Sequence, residues 1–458
     1  MRVLFIYTNI NGFHDDCYSF GLASIVSVTR INGYEPKVII VRSKKEYSQI
    51  LREIDSFQPQ VVGFSAVSSQ FSFVSEIASF VKQKSKEIIT VCGGVHPTIN
   101  PDCLLETKFL DGIFIGESEK SFVEFLDKIK KNEPYEDTDN YAYMNNGQVI
   151  INKLKPLMKD LDDVPYPDKQ IYPYEDTIKK TGLAPFLFSR GCPYLCSYCS
   201  NHAIAKRYGL PRNTPRYRSP ESCIAELEET ISSMRIDTIF IMDDIFGIDK
   251  KWRMEFCEKY RKRINKPFIC LLRVELVDEE FISLLKDAGC YKISVGLESG
   301  NEYVRNKIMN RLMSNDRIIK AFKIIKKYKL ETNTLNIIGT PGETEEMLWD
   351  TIKMNRTIHP TTSGVNIFYP YKGTKLGDSC FDQGLVNEEL YNNFSRERRA
   401  TVLNYSEAWR KKLAYYRDNW EALVYPFDFK RAVKRSLRKT FFWKYLRRIK
   451  NFIRIVKG

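Results

Sequence analysis

Three cysteines fall within eight residues in RGCPYLCSYCSN, at Cys192, Cys196 and Cys199, with His202 just beyond. Thiolates at this C-x3-C-x2-C spacing are ligands for zinc or for an iron–sulfur cluster. Two chemistries are open. With His202 as a fourth ligand the set closes a tetrahedral zinc site of structural type. Without it, three thiolates hold a [4Fe–4S] cube and leave one iron free, as a catalytic metal site does.

The residues around this cluster read as a βα repeat. Strands are expected at 185–189, 238–242, 268–273, 292–296, 334–338 and 364–369, and helices at 220–233, 250–264, 278–288, 314–329 and 344–356. Apolar runs alternating with helical periodicity imply a barrel or partial barrel, whose chemistry belongs at the carboxyl ends of the strands. The cysteines lie just after the first of these strands. Zinc modules usually take ligands from two separated pairs, whereas this cluster opens a repeat that needs no zinc to fold.

A second alternation precedes it. Apolar runs at 3–7, 37–41, 61–67, 88–92 and 112–115 are separated by helical patterns at 20–32, 47–57, 71–84 and 121–131. Continuous apolar strands with intervening helices make a doubly wound, flavodoxin-sized α/β domain. Its ligand edge carries SAVSSQ at 65–70, GGVHPT at 93–98 and GESEKS at 116–121, all small and rich in hydrogen-bonding groups. The expected division is 1–135 for this domain, 136–182 for a polar, Pro-bearing linker that wraps, 183–385 for the barrel, and 386–458 for a helical C-terminal region.

Composition narrows the class. Eleven cysteines, an odd number, together with no apolar run of membrane-spanning length and no basic–apolar leader, predict a cytoplasmic chain whose thiols are ligands or core residues. The formal net charge of +14 is concentrated: residues 429–458 hold twelve Lys or Arg and no Asp or Glu, and the remainder is close to neutral. A uniformly basic nucleic-acid binder is therefore not expected. In FWKYLRRIKNFIRIVKG, Phe442, Leu446, Ile449, Ile453 and Val456 share one helical face. Such a helix can lie on an anionic membrane, bind phosphates, or pack on the barrel with its charges solvated.

RGCPYLCSYC after a first strand resembles the signature of the radical S-adenosylmethionine (SAM) superfamily. IMDDIF at 241–246, GLESG at 296–300, NIIGTPGET at 336–344 and YPYKGTKL at 369–376 fall in order at the family's expected strand ends. The resemblance implies that Cys192, Cys196 and Cys199 hold a [4Fe–4S] cluster whose open iron binds SAM, and that an electron from the cluster cleaves SAM to a 5′-deoxyadenosyl radical. It places Tyr198 near the adenine, Asp243 and Asp244 toward the methionyl part, Glu298 and Ser299 toward the ribose, and the Ile338–Gly339 backbone at the adenine. No catalytic residue beyond the cluster and SAM is implied.

VGFSAVSS, GGVHPTINPD and GIFIGESEKSFVEFL, and the domain order, resemble the cobalamin-binding domain fused ahead of many radical SAM enzymes. Ser65, Ser68, Ser69, Gly93, Gly94, His96, Gly116 and Glu117 are the residues this assigns to cobalamin. The D-x-H-x-x-G motif that supplies a histidine to cobalt is absent, so no histidine ligand is expected from His14 or His96. Methylthiotransferases also carry three front cysteines, here Cys17, Cys92 and Cys103, but end in an RNA-binding β-module, whereas the sequence here ends in a helix-like, basic stretch.

The expected function is thus an anaerobic radical SAM enzyme that, with cobalamin, methylates an unactivated carbon of an unidentified substrate. The alternatives are a cobalamin-dependent oxidoreductase or cyclase without methyl transfer and, from another class, a non-catalytic zinc- or cluster-binding nucleic-acid regulator. Expected partners are a small-molecule or lipid-linked substrate, a one-electron donor such as flavodoxin or ferredoxin, and an anionic membrane surface for the tail.

Overall fold

The computed structural model describes residues 1–10, 18–392, 397–429 and 431. The front domain is built on β1 (Arg2–Thr8), β2 (Glu35–Val41), β3 (Val61–Ser65), β4 (Ile89–Gly93) and β5 (Gly112–Phe114), all parallel, in the order 2-1-3-4-5. Val3, Val61, Val62, Cys92 and Ile113 are fully buried because helices cover both faces. The order reverses between β1 and β3, which is where a doubly wound sheet opens a crevice for its ligand.

The sheet does not stop at β5. Residues 141–151, within the stretch expected as linker, add an antiparallel hairpin of β6 (Tyr141–Asn145) and β7 (Gln148–Ile151). Its turn is Asn146–Gly147, both at positive φ (48° and 79°). This is the Asn-Gly turn whose twist matches paired strands. The rest of the connection is pinned: Asp168 is 2% exposed. Its carboxylate accepts from the amides of Gln170, Ile171 and Tyr172 and pairs with Arg30 at 3.2 Å.

Next come β8 (Ala184–Phe186), a short antiparallel pair of β9 (Ser189–Arg190) with β10 (Arg216–Tyr217), then β11 (Ile239–Ile241), β12 (Phe268–Leu272), β13 (Cys290–Glu298), β14 (Glu331–Ile338) and β15 (Thr362–Ile367). The six parallel members form one open sheet in the order 15-14-13-12-11-8, a partial (β/α)6 barrel. Its five outer helices each start on a side-chain cap. Ser219, Asp249, Asp278, Ser314 and Thr344 accept from the amide three residues on, at 2.7–3.4 Å.

One apolar cluster runs from Val3 and Phe5 through Tyr172 and Phe186 to Val295, so the two domains share a core. Helices Glu407–Asp418 and Trp420–Val424 close the β14–β15 edge through Leu413, Tyr416 and Trp420. No helix among the described residues is long and apolar enough to cross a membrane. The basic amphipathic face at 442–456 lies outside the described residues, as do His14 and Cys17.

Candidate functional site

The cysteine loop leaves β9 at Gly191 and is fastened from behind. Ser197 donates from N to Met309 O at 3.0 Å and from Oγ to Ile308 O at 2.7 Å, while Asn310 Nδ2 donates to Leu195 O at 2.7 Å. Cys199 N donates to Cys196 O, closing a turn before the helix Ser200–Arg207. The three thiols are near enough to act electrostatically on one another, and burial pushes Cys192 up to about 11 and Cys199 up to about 12. A metal reverses that preference by binding the thiolate. Among the described residues no three Cys, His, Asp or Glu side chains converge as ligands of one ion. Burial, and then the charges of Lys375 and Lys206, lower the pKa of His202. The donor set, three clustered thiols on a fastened loop, fits a three-thiolate cluster.

Two buried guanidinium groups reach the middle thiol. Arg273 Nη1 stands 3.4 Å and Arg311 Nη1 3.7 Å from Cys196 Sγ. Neither arginine belonged to the sequence-derived set; both follow strand-end segments and carry no motif of their own.

Glu298 ends β13 with φ +64°, unusual for a non-glycine residue, where the β13–β14 register shifts. This kink turns its carboxylate toward Tyr198, which hydrogen-bonds it, and Arg311; burial raises its pKa against the pull of that arginine. Gly296 leaves room for Arg311, whose Nη2 would sit 2.7 Å from a Cβ there. Tyr198, Cys199 and Glu298 line a cavity of about 300 Å³ with Asn336, Ile337 and Phe368. Val67, Ser68, Val95 and Ile99 of the front domain form its opposite wall.

Other expected SAM contacts are placed differently. Ser299 is fully buried, 3.3 Å from the hydroxyl of Thr351, and does not line that cavity. Ile338 and Gly339 pack against the C-terminal helices, where a Cβ on Gly339 would meet Leu413 at 2.9 Å; Leu335 and Ile337 take the lining positions. Side chains alternate along β14, so the residue one step earlier faces in. Asp243 is fully buried and accepts from Phe188 N at 2.7 Å and Ser189 N at 3.2 Å, bracing the strand end below the loop. Asp244 is exposed beside Asn201 and Gly191.

On the front edge, Ser65, Gly93, Gly94, Gly116 and Glu117 line a second cavity of about 280 Å³. It runs down the sheet between the helices Phe20–Ile31 and Glu119–Lys131, with Phe5, Phe114 and Phe122 inside and Arg190 and Arg218 among its lining. Gly94 has φ +103°, and a Cβ there would lie 2.8 Å from Ala66 O, so only glycine fits this cradle. An apolar slot with small residues and cations suits the nucleotide tail of a corrin. Ser68 lies on the first cavity and Ser69 on neither.

Three of the expected cobalamin residues are engaged with protein. His96 is 4% exposed, with Nδ1 3.0 Å from Ser68 Oγ and its ring 4.7 Å from that of Phe71. Burial, then Lys372, lowers its pKa to about 4, so it is neutral at pH 7. Gly116 is covered by the Tyr208 ring, whose hydroxyl accepts from Glu117 N at 3.1 Å. The Glu117 carboxylate takes both Arg216 Nη groups, at 2.7 and 2.8 Å, and Met158 N at 3.1 Å. Arg190, two residues before Cys192, pairs with Glu119 at 2.6 Å. Cys92 and Cys103 are fully buried in the front core, which holds both thiols protonated.

A family model of the radical SAM superfamily matches residues 186–354, and one of the B12 binding domain matches residues 8–126. An uncharacterized methyltransferase of Pyrococcus horikoshii is 28% identical over 373 residues, covering 80% of this chain and 79% of its own. An anaerobic magnesium-protoporphyrin IX monomethyl ester cyclase of Rubrivivax gelatinosus is 25% identical over 457 residues, covering 93% of this chain and 79% of its own. Among solved structures, the radical SAM methyltransferase TsrM of Kitasatospora setae, with cobalamin and a [4Fe–4S] cluster bound, superposes with a TM-score of 0.68. It is 16% identical, with 83% of this chain and 78% of that one covered, a likeness of fold. Domain order, cysteine loop and front cavity agree with these matches, and the chain belongs to the radical SAM enzymes that carry an N-terminal cobalamin-binding domain.

Proposed function

We propose that this enzyme is a cobalamin-dependent radical SAM methyltransferase acting on an unactivated carbon of a small molecule. The observation that carries this reading is the shared cavity: the ligand edges of both sheets face each other across about 300 Å³, with Ser68 and Val95 on one wall and Tyr198, Cys199 and Glu298 on the other. When bound, the cluster supplies the electron that cleaves SAM, and cobalamin supplies the methyl carrier. Cys192, Cys196 and Cys199 hold the cluster. Glu298, presented by its left-handed backbone and hydrogen-bonded to Tyr198, offers the acceptor for a ribose hydroxyl. Phe368, Tyr369 and Tyr371 narrow the barrel mouth and keep water from the reacting atoms.

The electron donor is proposed to be a low-potential flavodoxin or ferredoxin. A lipid-linked substrate and contact with anionic membrane rest on the basic tail sequence alone; loss of liposome binding in a chain ending near Pro426 tests that contact. Full-length protein, reconstituted anaerobically and given SAM labelled in its methyl group, is the decisive experiment. About four irons and one corrin per chain, with S-adenosylhomocysteine formed alongside 5′-deoxyadenosine, support methyl transfer. 5′-Deoxyadenosine alone favours the second reading, an oxidation or ring closure, which the match to the cyclase over 93% of the chain keeps open. One zinc and no SAM cleavage would refute both.

A further inference from the structure

The three thiols sit in unequal surroundings. Cys192 and Cys199 meet backbone amides, of Tyr194 and Asn201, and the nearby carboxylate of Asp244. Cys196, 5% exposed, meets instead the two guanidinium groups of Arg273 and Arg311, themselves 4% and 7% exposed.

Both arginines are held in place. The Arg273 guanidinium lies 3.7 Å from the centre of the Tyr194 ring, and its Nη2 and Nε grip Glu275 at 2.5 and 3.1 Å. Arg311 Nη2 donates to Gly296 O at 2.6 Å, and its backbone amide to Arg305 O at 2.9 Å. Burying two cations in one wall is costly, and these two are compensated by Glu275 and Glu298. Packing alone would be served as well by neutral side chains, whereas two aimed N–H groups at one sulfur serve a group that carries negative charge.

We infer that Arg273 and Arg311 tune the reduction potential of the cluster through Cys196 Sγ, with Glu275 as their counterweight. This rests on the reading of Cys192, Cys196 and Cys199 as cluster ligands. The step concerned is the entry of one electron from a low-potential flavin or iron–sulfur donor; no bond forms or breaks in it. The cluster becomes more negative by one charge, and hydrogen-bond donors and positive charge at a ligand sulfur favour that state, raising the potential. Glu275 shares the charge of Arg273 and so opposes it.

The test is an EPR-monitored redox titration of the reconstituted full chain, with titanium(III) citrate as reductant and no SAM present. Arg273→Gln and Arg311→Gln should each lower the ratio of reduced to oxidised cluster at fixed potential about tenfold, which is 59 mV for a one-electron couple. Arg273→Lys should fall between wild type and Arg273→Gln, because it keeps the charge and loses the fork. Glu275→Gln should move the ratio the other way, a sign that a merely structural role would not produce. If the Gln variants lose the cluster, Arg273→Lys and Glu275→Gln carry the test. Full iron with an unmoved ratio, or Glu275→Gln shifting in the same direction as the arginine variants, overturns the inference. A wild-type chain that binds no iron overturns the ligand reading itself, a different result.

Discussion

Glu117→Gln tests how the cobalamin-binding domain is held to the cysteine loop. The wild-type carboxylate receives two N–H groups of Arg216 and the amide of Met158, with Arg190 Nη1 at 3.6 Å. Glutamine keeps the size and an acceptor but removes the charge, leaving two guanidinium groups facing a neutral amide. Breaking a buried pair from one side costs about 3–5 kcal/mol. Glu117 and Arg216 are 15% and 14% exposed, so residual water brings the expected cost to the low end, about 3 kcal/mol. At about 1.4 kcal/mol per tenfold, local opening becomes roughly a hundredfold more frequent. Hydrogen exchange at the Met158 amide reads this directly, without requiring the whole chain to unfold in one step. Arg216→Gln should give a similar acceleration, and the double variant should be no worse than either single. Burial opposes but the two arginines prevail, so the Glu117 pKa lies below its ordinary 4.5. The pair therefore contributes fully above pH 4.5 and is lost as pH falls through the depressed value. As pH falls, protection of Met158 in the wild type should persist past 4.5 and be lost only as pH passes through the depressed Glu117 value. An acceleration under about threefold, or additive single effects, would refute the latch.

Three further outcomes are expected. Alanine at Cys192, Cys196 or Cys199 should reduce iron in the anaerobic preparation from about four per chain toward zero while leaving corrin content unchanged, as measured by iron assay and the optical spectrum. Gly94→Ala, forced to φ +103° with its Cβ 2.8 Å from Ala66 O, should cost about 1–3 kcal/mol and weaken cobalamin retention on gel filtration. His96 is depressed to about 4, so the unfolded chain binds more protons between there and 6.5, and stability rises with pH across that window by about 3 kcal/mol. Urea midpoints for His96→Gln should lose this slope, while its cob(II)alamin EPR spectrum stays that of the wild type.

Much was determined by residue order alone. Strictly local patterns carried it: apolar runs, helical periodicity between them, and three thiols within eight residues predict the two βα domains and the cluster loop. Even the hairpin at 141–151 was legible in its Asn146–Gly147 turn, though a weakly apolar, polar-flanked stretch reads more readily as linker. What only the tertiary structure decided is which side of each element faces the cavity and what else arrives there. Glu298 is turned inward and Ser299 outward by one left-handed residue, and the lining shifts from Ile338 to Leu335 and Ile337 by a strand's twofold alternation. Arg273 and Arg311 lie 77 and 115 residues from Cys196, and Arg216 lies 99 from Glu117. Pairings at such separations leave no local signal, because they arise from how strand ends and domains are brought together, and a buried charge finds its partner only once the core has closed around it.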